Sequence, residues 1–301
     1  MAEAQGAREA ERPAAAGDGL RCRACGSPGR PLFSKRGHRF AACDACGCRF
    51  VTGATEPVSY DESYFERADV NGYADYRADR DLLLENFARR VRWLRPFARG
   101  TRFLDAGAAY GFLVRAARDE GFEAVGLEPV RSCAAWARAE LGVEMLSSTI
   151  EGAAIPPASL DVVTLLDVIE HVGDPALALR CIRRWLRPGG IVAIETGDCE
   201  GLLARVCGSR WYYYDPPQHL TFFSPASLAS LFERTGFSAP LGFGHLGRAV
   251  SVRNFSFQLG RALGDGILGE VCRGVSRSPL GTLRFSVPDR GNAFITAARA
   301  S

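Results

Sequence analysis

Lysine is almost missing from this chain: of its 37 basic residues only Lys35 is not arginine. Alanine is abundant, and together the two biases look like a GC-rich coding sequence rather than selection for phosphate contacts. A net charge of +3 is therefore discounted as a nucleic-acid signal. Also missing is any uninterrupted apolar run near the roughly 18 residues that a membrane span requires. The most hydrophobic stretches are cut by Asp167, Glu170 and His171 or by glycines. A soluble protein is expected. The first twenty residues have no apolar core of a secretory leader, only Glu3, Arg8, Glu9, Glu11, Arg12 and Asp18 among alanines and glycines. They read as the disordered tail of a cytoplasmic protein.

What is present is enough for one large α/β domain plus a small accessory module. The 301 residues are 47% apolar and 24% charged, which excludes collagenous, coiled-coil and wholly disordered chains and gives a core that needs no disulfides. Four stretches follow: a tail (1–20), a cysteine-rich module (21–54), a helical connector (55–99) and an alternating β/α region (100–301). The last contains an insertion at about 240–290 without a readable motif. In the connector, Leu83, Leu84, Phe87, Val91 and Leu94 recur at three- and four-residue steps, predicting an amphipathic helix ended by Pro96 and Gly100. Strands are expected at 102–106, 124–128, 143–146, 160–167 and 191–195. The clearest helix carries Leu177, Ala178, Cys181, Ile182, Trp185 and Leu186 on one face, with Asp174 as N-cap, Pro175 at the first position and Pro188-Gly189-Gly190 as the stop. Ser224-Pro225 opens another helix in the same way, bearing Leu228, Leu231 and Phe232. Strand and helix in alternation predict a doubly wound, mostly parallel sheet, with ligands beyond the carboxyl ends of the strands.

Ten cysteines are present, half of them between Cys22 and Cys48. Clustering of this kind points to metal rather than disulfides. Cys22-x2-Cys25 and Cys43-x2-Cys46 lie 17 residues apart, the spacing of two zinc knuckles that meet in a closed, structural four-thiolate site. Gly26 and Gly47 follow each pair and let backbone amides approach the sulfurs. Cys48 and His38 stand as alternative ligands, and reduced cysteines without metal are the competing reading.

A second constellation runs from Phe103 to Gly111, a strand leading through a Gly-x-x-x-Gly turn into a helix. A dinucleotide fingerprint would need glycines where Ala109 and Phe112 stand, so that reading is weak. Asp105 at the strand end, small residues in the turn and Glu128 at the end of the next strand suit a nucleoside without a phosphate cradle. A carboxylate there accepts hydrogen bonds from both ribose hydroxyls.

At these residues the sequence resembles a family. Leu104-Asp105-x-Gly-x-x-x-Gly, Val125-Gly126-Leu127-Glu128-Pro129, Asp161-Val162-Val163, Asp167-Val168-Ile169-Glu170-His171-Val172-x-Asp174-Pro175 and Leu186-Arg187-Pro188-Gly189-Gly190 are similar, in order, to the motifs of class I S-adenosylmethionine-dependent methyltransferases. His219-Leu220-Thr221-Phe222-Phe223-Ser224, Thr235-Gly236-Phe237, the zinc module and Tyr60-Asp61-Glu62-Ser63-Tyr64-Phe65 resemble a bacterial subgroup that acts on small molecules and sugars. The tail and about 240–290 lie outside the resemblance. It implies S-adenosylmethionine as cofactor, with Gly107 and Gly111 framing its methionine part, Asp105 supporting the turn and Glu128 on the ribose. Ala109, Tyr110, Pro129 and Asp167 belong to the same motifs. Ala109 stands for the family's middle glycine, which requires φ below zero there. The acidic adenine contact of the family is missing from 147–150, leaving Ile150 and backbone groups for that role.

Methyl transfer asks for in-line positioning and, for a hydroxyl nucleophile, removal of its proton. His171 after the fourth strand is the expected base, with Glu170 orienting it. The competing reading of the pair is a hydrogen-bonded helix start. His219 follows the aromatic, proline-broken segment 211–217, which suits a lid or substrate wall; an aromatic plug is the alternative, above all for Trp211. Tyr110 faces cofactor or substrate, and Tyr64, Tyr73 and Tyr76 are candidates to close the cofactor pocket. His245 and the other five cysteines suggest packing only. The reading that results is methylation of a hydroxyl of a sugar, glycan or secondary metabolite. Related deoxysugar C-methyltransferases carry a further large C-terminal domain for which this chain is too short. An RNA or protein methyltransferase that docks through the basic zinc module is the main alternative, and a non-catalytic zinc scaffold is the third.

Overall fold

Runs of branched and aromatic residues bounded by turn residues become strands here, and the periodic segments between them become the helices that cover the sheet. The structure, a computed structural model, describes residues 20–53, 77–263, 266–288 and 291–300. Nearly all of the expected tail, the 60–65 motif, and Tyr64, Tyr73 and Tyr76 lie outside the described residues. In chain order the elements are β1 (Arg30–Lys35), β2 (His38–Ala42), β3 (Arg49–Val51), α1 (Arg80–Leu94), β4 (Arg102–Ala106), α2 (Phe112–Asp119), β5 (Glu123–Leu127), α3 (Arg131–Leu141) and β6 (Glu144–Leu146). They continue with β7 (Leu160–Leu166), α4 (Pro175–Trp185), β8 (Leu186–Gly197), α5 (Leu202–Cys207), β9 (Thr221–Phe222), α6 (Pro225–Arg234), β10 (Gly242–Gly244) and β11 (Arg248–Ser251). The last are α7 (Val252–Leu263), α8 (Ile267–Arg277), β12 (Arg284–Val287) and β13 (Ala293–Arg299).

The main sheet has seven strands in the order β10-β13-β8-β7-β4-β5-β6. From β8 to β6 the pairing is parallel, while β13 runs antiparallel to β8 and β10 antiparallel to β13. This is the expected doubly wound, mostly parallel sheet. The chain leaves β4 toward β5 and β6 on one side and returns through β7 and β8 on the other, so the switch point lies between β4 and β7. Its central strands are covered on both faces, which is why Phe103, Leu104, Val162, Val163, Val192 and Ile194 are all buried. Buried between α1 and β8, Arg90 reaches across to Glu195 in a two-pronged pair, Nε to Oε2 and Nη2 to Oε1, each at 2.6 Å. Leaving either charge alone there would cost about 3 to 5 kcal/mol.

Two sequence expectations shift. Asp174 caps α4 as expected, its side chain accepting from the Leu177 amide at 2.8 Å, but the buried face is Ala178, Leu179, Ile182 and Trp185, with Leu177 exposed. The face is turned by about one position because Leu177 and Leu179 are equally apolar and packing against the sheet selects Leu179, while α4 passes into β8 without a loop. Pro188-Gly189-Gly190 accordingly does not separate helix from strand; it forms an irregularity inside β8, where Leu160 faces Leu186 but Val162 already faces Ile191.

The cysteine-rich segment forms a second sheet in the order β1-β2-β3-β9, in which β3 pairs with β9 from the far part of the chain. Cys22, Cys43, Cys48 and Phe50 share one apolar core with Leu228, Leu231 and Phe232 of α6. Within the stretch expected as an insertion, β10 joins the main sheet, β11 and β12 form a separate antiparallel pair, and α7 packs on α8.

Candidate functional site

At the carboxyl end of β4 the chain must turn sharply into α2, and three residues take the left-handed conformation to do so: Gly107 (φ 81°), Ala109 (φ 46°) and Gly111 (φ 75°). The expectation that Ala109 keeps φ below zero is therefore not met. Its amide is drawn to Glu128 Oε2 at 2.8 Å, while Gly111 donates to the Ala108 carbonyl at 2.7 Å, and these bonds offset a backbone strain of about 1 to 2 kcal/mol. Glu128 Oε1 accepts from the Val130 amide at 2.9 Å. One carboxylate thus holds the turn after β4 and the turn after β5, and each of its oxygens keeps a further acceptor site. Burial raises the Glu128 pKa, opposed by the two amides.

Asp105 is buried at the end of β4 and accepts from Thr164 Oγ1 of β7 at 2.8 Å. Burial lifts its pKa to about 7, helped by the charge of Glu128 and opposed by Thr164. Tyr110 is buried rather than open to a ligand. Its ring meets Trp136 edge-on at 5.1 Å, with the Arg77 guanidinium 5.8 Å from its centre. Pro129 is half-buried beside Glu128, and Ile150, after β6, is buried in the same apolar core as Leu127 and Val163.

Across the switch point, Asp167 leaves β7 with φ 53° and an exposed side chain, its amide held by the Glu195 carbonyl at 2.9 Å. Glu170 is fully buried, accepting from the Tyr213 hydroxyl and, at 3.0 Å, from Thr196 Oγ1. The same Tyr213 hydroxyl lies 3.4 Å from Asp167 Oδ1. The partner that orients His171 through Nδ1 is the Gln218 carbonyl at 3.0 Å, not Glu170 as expected. His219 Nδ1 faces the Tyr213 carbonyl at 2.6 Å. A carbonyl only accepts, so Nδ1 carries the proton in each ring, and in the neutral form Nε2 holds the lone pair. The rings stand edge to face at 4.6 Å, and one nitrogen of each lies within 4.8 Å of the other and of a Glu170 carboxylate oxygen. Burial, then the neighbouring His219, push the His171 pKa well below 6.5, against the pull of the Gln218 carbonyl. Burial and the Asp167 charge raise Glu170 to about 7.

A family model described as a methyltransferase domain matches residues 73–239, which is more than half of the chain. The chain belongs to the class I S-adenosylmethionine-dependent methyltransferases. Among curated relatives, it is 30% identical over 168 residues to a ubiquinone biosynthesis O-methyltransferase of Nitrobacter winogradskyi, covering 52% of this chain and 64% of that one. It is 32% identical over 149 residues to the protein of the same name from Aeromonas salmonicida, covering 46% and 63%. The chain thus spans somewhat less than two thirds of these relatives. By structure it is similar to magnesium protoporphyrin IX methyltransferase of Synechocystis PCC 6803, solved with bound SAH (TM-score 0.51, 12% identity, 79% of this chain and 94% of that one). It is similar also to an S-adenosylmethionine-dependent methyltransferase of Archaeoglobus fulgidus (TM-score 0.50, 17% identity, 75% and 100%). These likenesses share the fold.

In this methyltransferase the segment 211–217 is chiefly a plug. Trp211, Tyr213 and Tyr214 are buried against Phe40 and Phe222 of the second sheet, and of the four aromatics Tyr212 alone is exposed. The basic residues of the cysteine module hold this plug: Lys35 donates to the Trp211 carbonyl at 2.9 Å, Arg49 to the Tyr214 hydroxyl at 2.6 Å, and Arg36 pairs with Asp215. The module's four paired cysteines lie together. Cys22, Cys25, Cys43 and Cys46 place all four Sγ atoms within 4.8 Å of one another, with 3.5 Å between Cys22 and Cys46 and between Cys25 and Cys43. Zinc–sulfur bonds of about 2.3 Å in a tetrahedron require sulfurs about 3.8 Å apart, so the donor set fits the ion. Gly26 and Gly47 take φ 74° and 76° and return their amides to the Cys22 and Cys43 carbonyls at 2.7 and 2.8 Å. Neither Cys48 nor His38 belongs to the four-atom group. Sequence reasoning missed Tyr213 and Thr196 as the partners of Glu170. The hydroxyl of Tyr213 signalled the need for a partner, while Thr196 stands at the carboxyl end of β8, where site residues gather, but outside every motif that drew attention.

Proposed function

We propose that this protein transfers a methyl group from S-adenosylmethionine to a hydroxyl of a small molecule, a sugar, glycan or secondary metabolite, with His171 as the general base. The observation that carries the reading is the His171 ring pinned at the switch point by the Gln218 carbonyl. Its Nδ1 proton is committed to the Gln218 carbonyl, so Nε2 is a proton acceptor already oriented. The cofactor supplies an activated methyl on a sulfonium, and the residues of this chain have only to place the acceptor and take its proton. Glu128, with one lone pair free on each oxygen, is the group for the ribose hydroxyls, while Asp105, Gly107, Ala109 and Gly111 shape the turn over which the cofactor lies. Asp167, Pro129 and Ile150 line the neighbouring strand ends, and Tyr110 supports the turn from behind. Glu170 and His219 are positioning groups beside the base. The curated relatives named as O-methyltransferases support a hydroxyl acceptor. Engagement of Lys35, Arg36 and Arg49 within the fold speaks against the module as a nucleic-acid dock.

We propose also one structural zinc on Cys22, Cys25, Cys43 and Cys46, on the strength of four thiol sulfurs clustered at mutual distances that suit the ion.

The test of the base is turnover of the purified protein on panels of nucleotide sugars, glycans and phenolic metabolites, following S-adenosylhomocysteine. His171→Ala should lower turnover by about 10² to 10⁴ with cofactor affinity nearly unchanged. Because the folded pKa lies well below 6.5, the ring is neutral above that value and the acid limb of the wild-type profile should fall below pH 6.5. Near-normal turnover of His171→Ala with an unchanged pH profile would overturn the assignment, and loss of activity only in His219→Ala would move the base to the second ring.

A further inference from the structure

The helix pair α7 and α8 is built inside out for a water-facing element. Where the two helices touch, the residues are mostly small: a Cβ on Gly260 would lie 3.2 Å from the Gly269 carbonyl and 3.4 Å from Cys272 Cβ and from the stem of Arg273, and Ser256 and Ser276 are buried on the same helix faces. The large apolar side chains point the other way. Ile267 is 85% exposed, Leu268 68% and Val271 57%, and Phe255, Leu259 and Leu280 extend the same surface. In water a helix pair buries its branched side chains and exposes its small ones; the reverse arrangement is that of helices surrounded by hydrocarbon.

The hydroxyls follow the same logic. Ser256 donates to the Val252 and Arg253 carbonyls, Ser276 to Arg273 at 3.0 Å, Ser278 to Val275 at 2.8 Å and Thr282 to Pro279 at 2.9 Å. Each is satisfied by the turn before it and needs no water. The helices have 12 and 11 residues, far short of the roughly 20 that cross a bilayer, and no described helix is long and apolar enough to do so. They are suited to lie along an interface.

Charge selects the occupant. From 248 to 290 the sequence has seven arginines against Asp265, Glu270 and Asp289. Glu270 is paired with Arg273 at 2.6 Å and feels Arg277 as well, which leaves the stretch a net excess of guanidinium groups, with Arg277 and Arg284 exposed beside the apolar residues. A second copy of this chain would bring like charges together. An anionic bilayer surface accepts both the apolar side chains and the guanidinium groups, whose long stems let the charge reach the headgroups.

We propose that the α7–α8 pair is a docking surface for an anionic lipid bilayer, which it enters to the depth of its exposed side chains. The pair is rooted near the proposed cofactor turn. Ser251, before α7, donates to Asp79 at 2.8 Å, and Arg77, two residues earlier, lies over Tyr110 of that turn. Docking would therefore hold the edge of the sheet that carries the proposed cofactor turn close to the bilayer surface. The surface stands independently of which acceptor is methylated.

The test is co-sedimentation of the full chain with vesicles of phosphatidylcholine alone or phosphatidylcholine mixed with phosphatidylglycerol. Binding is expected on the mixed vesicles, at least about tenfold weaker on the neutral ones, and reduced by salt. The double variant Leu268→Glu/Val271→Glu changes two exposed positions, so its circular dichroism should match wild type while its vesicle affinity falls about tenfold or more. Arg277→Glu gives the charge arm separately and should weaken binding to the mixed vesicles alone. No binding to mixed vesicles, or equal affinity of the double variant and wild type, would overturn the proposal. So would a concentration-dependent dimer in solution that the double variant makes monomeric, since the face would then belong to a second copy.

Discussion

Asp105 shows how a single buried group ties the candidate site to stability. Its pKa stands at about 7 in the fold against an ordinary 3.8, so between those values the folded state holds more protons than the unfolded chain. Stability must then fall as pH rises through that window. Asp105→Asn keeps the acceptor for Thr164 and removes the charge. Relative to wild type, the variant should gain unfolding free energy between pH 4 and pH 8, by an amount on the order of 4 kcal/mol at most. Urea titrations at the two pH values measure it, and an unchanged difference would show that Asp105 titrates in the fold as in the unfolded chain. The residue itself was legible, because an acid at the end of a strand before a glycine turn has few uses. The left-handed Ala109 and Asp167 were not, since no local pattern announces positive φ at a non-glycine residue. Their amides are held by Glu128 Oε2 and the Glu195 carbonyl, partners that adjacent strands bring in.

Among elements, the short strand β9 links the cysteine module to the candidate site. It pairs with β3, and the Val51 amide donates to the Leu220 carbonyl at 2.9 Å, one residue after His219. Removing a zinc that closes the turns at Cys22 and Cys43 should loosen β3 and with it the placement of His219. Protein purified without added metal is expected to contain one zinc per chain, and chelation should lower both melting temperature and turnover. Elemental analysis near zero with unchanged melting in chelator would remove zinc from the account. The strands from β4 to β8 were legible to within one or two residues except at the start of β8, because their apolar runs are bounded by glycine, proline and acidic punctuation. The β3–β9 pairing was not, since it joins segments about 170 residues apart and each is too short to carry a pattern. The face of α4 was misread by one position, as neighbouring Leu177 and Leu179 are equally apolar and only packing chooses between them.

At the scale of the whole molecule, the sheet order sets Glu128 and the Gly107–Gly111 turn on one side of the switch point and Glu170, His171 and His219 on the other. The plug of Trp211, Tyr213 and Tyr214 and the second sheet back the latter group. As proposed above, the nucleoside is held by the first group and the proton is taken by the second, on either side of the switch point, which is the central claim. The most direct measurement is titration calorimetry of S-adenosylmethionine and S-adenosylhomocysteine into wild type and Glu128→Gln. The substitution is nearly isosteric, removes the charge and leaves a single acceptor oxygen for the turn and the ribose to share. One site per chain is predicted for wild type, with an affinity about 10 to 100 times weaker in the variant, the effect of one charged hydrogen bond of about 1.5 to 3 kcal/mol. Equal affinities, or no saturable binding by the wild-type protein, would contradict it.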